Sequence, residues 1–275
     1  MDVDPLEDTV PPRYAVESDE EDEYNPLASA SVEDKTELEV KIVGEIPTGK
    51  PLVVASEISG RCWARGADLG EQLGGVYVNQ ICVGLVFSPS WSDSTIIVSE
   101  ATTCLPIWAM DAYAKRILQD FKPVTISLLD SYPTSAYITS ELIPPHAAPA
   151  RYLSNSKPPS QVISQTQLFS PPNLLTTTSA SFLANATVNA TALLLPAARI
   201  PLPRPRKLEP SRLPTEEDAF LWPPDAMESA HRLLFLINGQ TLDADRKWVT
   251  KKGTSSYAST KAQRRGDVGE GSMYI

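Results

Sequence analysis

Cysteine is scarce in this chain of 275 residues. Cys62, Cys82 and Cys104 are odd in number, widely spaced and without a CxxC pair, so neither a disulfide framework nor a zinc site is expected. Histidine is scarcer still, and His146 and His231 alone leave little from which to build a metal cluster. No apolar run reaches the ~18 residues a membrane helix needs; Ala192–Leu195 is cut short at Pro196. Met1-Asp2-Val3-Asp4 lacks the basic-then-apolar pattern of a secretory signal. By elimination the expected setting is the cytoplasm or the nucleus, with no membrane partner. In that setting Asn185-Ala186-Thr187 and Asn189-Ala190-Thr191 read as chance glycosylation sequons.

Catalytic patterns are missing as well. There is no GxGxxG, Walker loop, GxSxG, HExxH or EF-hand loop. Ser154-Asn155-Ser156-Lys157 fits SxxK but falls in a proline-rich stretch, where a nucleophile is hard to hold rigidly. The three cysteines could pair with His146 or His231, yet no local signature supports that, and buried structural thiols are expected instead. Glu216-Glu217 reads as charge leading into a helix. These absences point away from an enzyme: no catalytic, cofactor-binding or metal-ligating residue is assigned, and no cofactor is expected.

What is present begins with charge. The net charge of −10 is unevenly placed, because residues 1–34 hold twelve acids against Arg13 alone. The remainder, with 22 acids and 23 bases, is close to neutral, which gives no basic face for nucleic acid. Residues 1–35 are therefore expected to be a disordered acidic arm. Ser18, followed by Asp19-Glu20-Glu21, suits an acidophilic kinase.

After the arm, Leu38–Val43 alternates apolar and charged side chains as a half-buried strand does. Pro51–Ala55 reads as a short buried strand. Gly74-Gly75 reads as a turn into Val76–Phe87, the best candidate for a central strand, and Ser92-Asp93 as a turn before a strand at Thr95–Val98. Pro106 opens a helix whose stripe of Trp108, Met110, Tyr113, Ile117, Leu118 and Phe121 is expected to be core. Val124–Leu129 returns as a strand. This order is that of an α/β sheet with a crossover helix.

Residues 144–172, rich in proline, serine and glutamine, read as an extended, mobile surface loop. Leu174–Leu195 reads as a mixed helical segment, and Pro201, Pro203 and Pro205 as a rigid loop rather than an SH3 ligand. A last helix is expected with Asp225 as N-cap, Met227, Ala230, Leu233, Leu234 and Ile237 on one face, and Gly239 as its stop. The expected fold is thus a single α/β domain over 36–238, a mixed central sheet flanked by helices, followed by a flexible basic tail over 239–275.

The tail ends in Met273-Tyr274-Ile275, an apolar–aromatic–apolar tip on a polar segment. Such a tail gains nothing by folding, so its apolar tip suggests a peptide ligand, the alternative being a frayed, unused end. A free carboxylate can pair with a lysine, and a tyrosine ring offers a large contact at low entropic cost. Met273, Tyr274 and Ile275 are the candidate protein-binding residues. They match the hydrophobic–tyrosine–any-residue ending with which activators and chaperones enter pockets between proteasome α-subunits. They also fit a PDZ ligand with apolar residues at the last and third-last positions.

Taken with the acidic arm, the strand–helix–strand block ending in Val124–Leu129, the loop with Tyr137 and Thr139, the Phe182–Pro203 segment and the late helix, this ending resembles the proteasome assembly chaperone 1 family. The long proline-rich loop and the lengthy basic tail depart from that pattern, in the manner of a divergent, fungal member. The resemblance implies a heterodimer with a second assembly chaperone of related fold, seated on the proteasome α-ring. It also implies that Tyr274 orders the pocket while the Ile275 carboxylate meets a receptor lysine.

Overall fold

The computed structural model describes residues 38–139, 143–144, 147–210, 222–243 and 245–249. The acidic arm, Ser18, His146, Glu216, Glu217 and the terminal Met273, Tyr274 and Ile275 lie outside them.

Four apolar runs become the centre of one mixed, nine-stranded sheet. They are β2 (Leu52–Ser56), β5 (Thr95–Ser99), β6 (Thr125–Pro133) and β9 (Asn189–Ala197), adjacent in the order β5-β2-β6-β9 and parallel throughout. Parallel strands covered on both faces need no polar alternation, which is why these read as continuous Val, Ile and Leu. Successive side chains still part to opposite faces. Leu52, Val54, Ile97, Ile126, Leu128 and Leu194 enter one core with α2 (Ile107–Phe121) and α4 (Thr178–Asn185). Val53, Ala55, Ile96, Val98, Leu129 and Leu193 enter the other with α1 (Glu57–Gly66) and α5 (Pro224–Ile237). The expected single α/β domain, a mixed sheet flanked by helices, is what forms.

Antiparallel strands extend both sides. β1 (Val40–Gly44), β3 (Gln72–Val78) and β4 (Ile81–Phe87) form a meander beside β5, and β7 (Arg151–Ser154) and β8 (Gln167–Leu168) lie beyond β9. The run 76–87, expected as one central strand, is instead two halves of a hairpin. Asn79 and Gln80 take φ of 45° and 67°, so two consecutive residues reverse the chain and pair Val78 with Ile81. Asn79 also exchanges bonds with Glu39, which ties the hairpin tip to β1. Gly74-Gly75 is not a turn but lies within β3, where it pairs with Gly44 and Val43.

Three further expectations are corrected. Leu174–Leu195 is not mainly helical: α4 ends at Asn185, and Asn189–Ala197 pairs with β6 over nine positions. Alanine and leucine favour helix locally, but that preference is worth tenths of a kcal/mol per residue and yields to burial between two strands. The stretch 144–172 is not one extended loop, since it carries β7, α3 (Ser160–Gln165) and β8, with Val162 and Phe169 buried. In α5 the N-cap is Pro223 and Asp225 sits in the first turn, where its charge still suits the helix N-terminus.

On α2, Met110, Tyr113, Ile117 and Phe121 are core as expected, whereas Trp108 is half exposed and Ile107 more so. Among the described residues after Gly239, Trp248 and Val249 are docked on α1 and α5. Trp248 donates its ring N–H to the Trp63 carbonyl (2.7 Å) and its backbone N–H to Glu228, and Val249 N–H donates to the Gly66 carbonyl. A Cβ on Gly66 would lie 2.2 Å from the Trp248 ring, so the indole needs glycine there.

Candidate functional site

β2 runs into α1 on one face of the sheet, and its neighbour β5 runs into α2 on the other. Where adjacent parallel strands send their connections to opposite faces, their carboxyl ends diverge and leave a crevice, the usual ligand position in open α/β sheets. Glu57 directly follows β2, and Glu100 directly follows β5. Both take left-handed backbone, with φ of 55° and 53°. A residue with a Cβ held there costs on the order of 1 kcal/mol or more and persists only where its surroundings enforce it.

The enforcement is visible at Glu100, whose side chain has no exposure. Its carboxylate accepts from the Leu105 backbone N–H (2.6 Å) and from the Thr178 hydroxyl (3.1 Å), while its carbonyl accepts from Arg61 (3.0 Å). The crevice is closed by Arg204, carried in by the proline-flanked loop after β9. One guanidinium nitrogen donates to Glu100 Oε1 and another to Glu57 Oε1, with the Arg204 side chain only 15% exposed. Next along the sheet, Asp130, within β6 and one residue past the Leu129 that pairs with Ala55, is fully buried and accepts from the Thr177 hydroxyl (2.6 Å) and the Ser131 N–H (2.7 Å). Thr177 and Thr178 begin α4, so the positive end of that helix faces both carboxylates.

Burial raises Glu100 to about 8 against the pull of Leu105 and Thr178, and the nearby Asp130 pushes it further up. Burial raises Asp130 too, and it lowers Arg204 to about 10, which leaves the guanidinium protonated at neutral pH. Even with the guanidinium beside it, burial thus draws Glu100 toward the neutral acid near neutral pH. The arrangement holds a planar cation between two carboxylates and offers no open catalytic pair.

The sequence-derived candidates fall elsewhere. Met273, Tyr274 and Ile275 are outside the described residues, as is His146. His231 is buried in α5, where its Nδ1 accepts from the Trp63 ring N–H (3.1 Å) and its ring packs on Trp91 and Phe235. Burial lowers it to about 4, so it is a neutral core residue at pH 7. Cys62 is buried, Cys82 and Cys104 partly so, and none of the three is in a disulfide. Ser154 is on β7, not in a loop, and its hydroxyl bonds to Thr191 Oγ1 (2.7 Å) and to the Ala190 carbonyl (3.0 Å). Lys157 is exposed. Tyr137 lies over the buried Arg151 guanidinium at 3.9 Å and packs on Phe169.

Glu100 and Arg204 were not found from the sequence. The available signals were a lone acid ending an apolar strand and an arginine between two prolines, but nothing local joins residues 104 apart. Among the described residues no group of three or more His, Cys, Asp or Glu is placed to hold a metal ion, and no helix is long and apolar enough to cross a membrane. A polar groove of about 430 Å³ lies between α3 and α5, lined by Gln161, Gln165, Asp225, Glu228 and Arg232 among others.

No protein-family model matches the chain, and no curated protein matches it. The fold is coarsely similar to several solved structures. PbaA from Pyrococcus furiosus, described as an archaeal homolog of proteasome-assembly chaperone, is 9% identical with a TM-score of 0.42, over 57% of this chain and 75% of that one. PbaB from the same organism, described as an archaeal proteasome activator, is 12% identical with a TM-score of 0.41, over 57% and 79%. A protein of unknown function from Corynebacterium glutamicum is 10% identical with a TM-score of 0.43, over 74% and 80%. At such scores the likeness is one of coarse topology, and neither a family nor a function for this chain follows from it.

Proposed function

We propose that this chain is a non-enzymatic proteasome assembly chaperone that docks on the α-ring of the core particle and inserts Met273-Tyr274-Ile275 into a pocket between neighbouring α-subunits. The observation that carries the reading is that ending: apolar, tyrosine, apolar, after a polar and basic stretch. Tyr274 supplies the buried ring and one hydroxyl, and the Ile275 carboxylate supplies the charge for a receptor lysine. Val249 is held against α1, and the 26 residues beyond it reach at most ~90 Å when fully extended. A pocket well away from the body's own contact is within that range, and two linked contacts bind more tightly than either alone. The body would pair with a second assembly chaperone of related fold, so co-expression with that partner should raise its yield.

The test is a pull-down of purified core particles by the full-length chain and by a version ending at Ser272. Binding that depends on the last three residues supports the reading; equal binding by both overturns the tail mechanism. Tyr274→Ala should weaken binding at least tenfold, as loss of an aromatic hot spot does. A PDZ-type receptor, reading Met273 and Ile275, would tolerate that substitution. Mass spectrometry of the C-terminal peptide from native protein checks that Ile275 carries the free carboxylate.

A further inference from the structure

The proline cluster that the tail mechanism leaves unused delivers Arg204 to the carboxyl edge of the sheet. Residues 198–210 follow β9 without regular secondary structure. Pro201, Pro203 and Pro205 have no N–H to give, so this strap cannot join a strand ladder there and is seated by side chains. Its exposure is inverted: Ile200 and Leu202 are 67% and 83% exposed, while the side chain of Arg204 is 15% exposed. The strap is further tied by Trp108, whose ring N–H donates to the Arg206 carbonyl (3.0 Å), by Thr103 to the Glu209 carbonyl, and by partly buried Leu208.

We propose that the Glu57/Glu100 crevice is a recognition site for an arginine side chain, and that Arg204 is its built-in ligand, which an arginine of a partner polypeptide can displace. Three observations meet here. Glu57 and Glu100 follow the carboxyl ends of adjacent parallel strands whose connections leave on opposite faces, the position where open α/β sheets take ligands. A guanidinium already sits in it across two carboxylates held in left-handed backbone. The Ser56 hydroxyl, in the last residue of β2, is fully buried without a partner, spare hydrogen-bonding capacity beside the site. Exchange of one guanidinium for another leaves both the Glu57 and the Glu100 carboxyl groups with a hydrogen-bond donor, so neither is left buried without a partner. A lysine fits less well, because its ammonium is a compact point charge and lacks the planar fork whose separate nitrogens reach the two carboxylates. Opening the strap would also free the exposed Ile200 and Leu202 to move with it. This site is independent of the tail and of the proteasome reading.

The experiment uses the full chain and a labelled peptide of its own residues 199–207. Fluorescence anisotropy should show the peptide binding the Arg204→Ala protein at least tenfold more tightly than wild type, whose own strap competes. The same peptide carrying Arg204→Lys or Arg204→Ala should bind at least tenfold more weakly. Methylguanidinium should raise the Tm of the Arg204→Ala protein where methylammonium at equal concentration does not. Equal binding of all three peptides, or no selective response to methylguanidinium, overturns the proposal. Should the Arg204→Ala protein fail to fold, hydrogen exchange of wild type decides. Faster exchange at Arg204, Arg206 and Lys207 with methylguanidinium but not methylammonium supports displacement, and no difference overturns it.

Discussion

Two irregular segments close against this domain, and they are held by opposite means. The strap at 198–210 is fastened by a charge, the Arg204 guanidinium between Glu57 and a fully buried Glu100. The segment at 245–249 is fastened by an aromatic ring, Trp248 against Gly66, Trp63 and Glu228. A buried charge is unforgiving, because removing one partner leaves the other desolvated and unpaired. A packed ring fails more gently, since its pocket loses contact area and little else. The strap should therefore be all-or-none and exchangeable only for a like cation, whereas the Trp248 segment can loosen by degrees.

The largest expected effect separates the two directly. Arg204→Ala should cost roughly 3 kcal/mol in urea unfolding, the range for breaking a buried pair. Trp248→Ala, at a half-buried site, should cost about 2 kcal/mol. Equal losses would erase the distinction. Gly66→Ala sharpens the second half of the comparison. Alone it should destabilise by expelling the indole, but in a Trp248→Ala background it should be neutral or slightly favourable, because alanine suits a helix end better than a mobile glycine does. The double-mutant cycle should return a coupling of about 1 kcal/mol or more.

Acid should affect the aromatic side in a defined window. Burial holds His231 down to about 4, against Glu228 and the Arg246 backbone, which favour its charge. The unfolded chain thus binds a proton that the folded chain refuses between about pH 4 and the ordinary value of 6.5. Stability is complete above pH 6.5 and declines as pH falls toward 4. His231→Gln should flatten that slope in urea melts taken across the window. At still lower pH Glu228 adds its own loss. Burial disfavours its charge, but the Arg232 side chain and the Trp248 N–H outweigh that and hold it below 4.5, so its contribution disappears as pH drops through the depressed value. The smallest effect is expected at Trp108. Half exposed, with one bond to the Arg206 carbonyl, it should lose under ~1 kcal/mol as Trp108→Ala.

The fold was legible where burial leaves a one-dimensional trace. Leu52–Ala55, Thr95–Val98 and Ile126–Leu129 announce covered strands by unbroken apolar character, and the Met110–Phe121 stripe announces a helix face. Ala192–Leu195 defeated the same logic, because a short run of alanine and leucine fits helix and strand equally until β6 pairs with it. The Asn79-Gln80 turn was missed because a type I′ reversal is more often signalled by glycine, and here Gln80 takes the second left-handed position. Of the two candidate sites, the Glu57/Glu100 pairing left no such trace, whereas the terminal motif can be proposed from sequence because its residues are contiguous.

By itself, then, the sequence determined the α/β class, the central apolar strands and the crossover helix. Only the tertiary structure decided that β2 and β5 part company at their ends, that Glu57 and Glu100 meet there, and that Arg204 lies between them. The reason is range. Burial and helical period act between residues a few positions apart and leave their mark on composition, whereas an ion pair across 104 positions exists only after the chain has closed that distance.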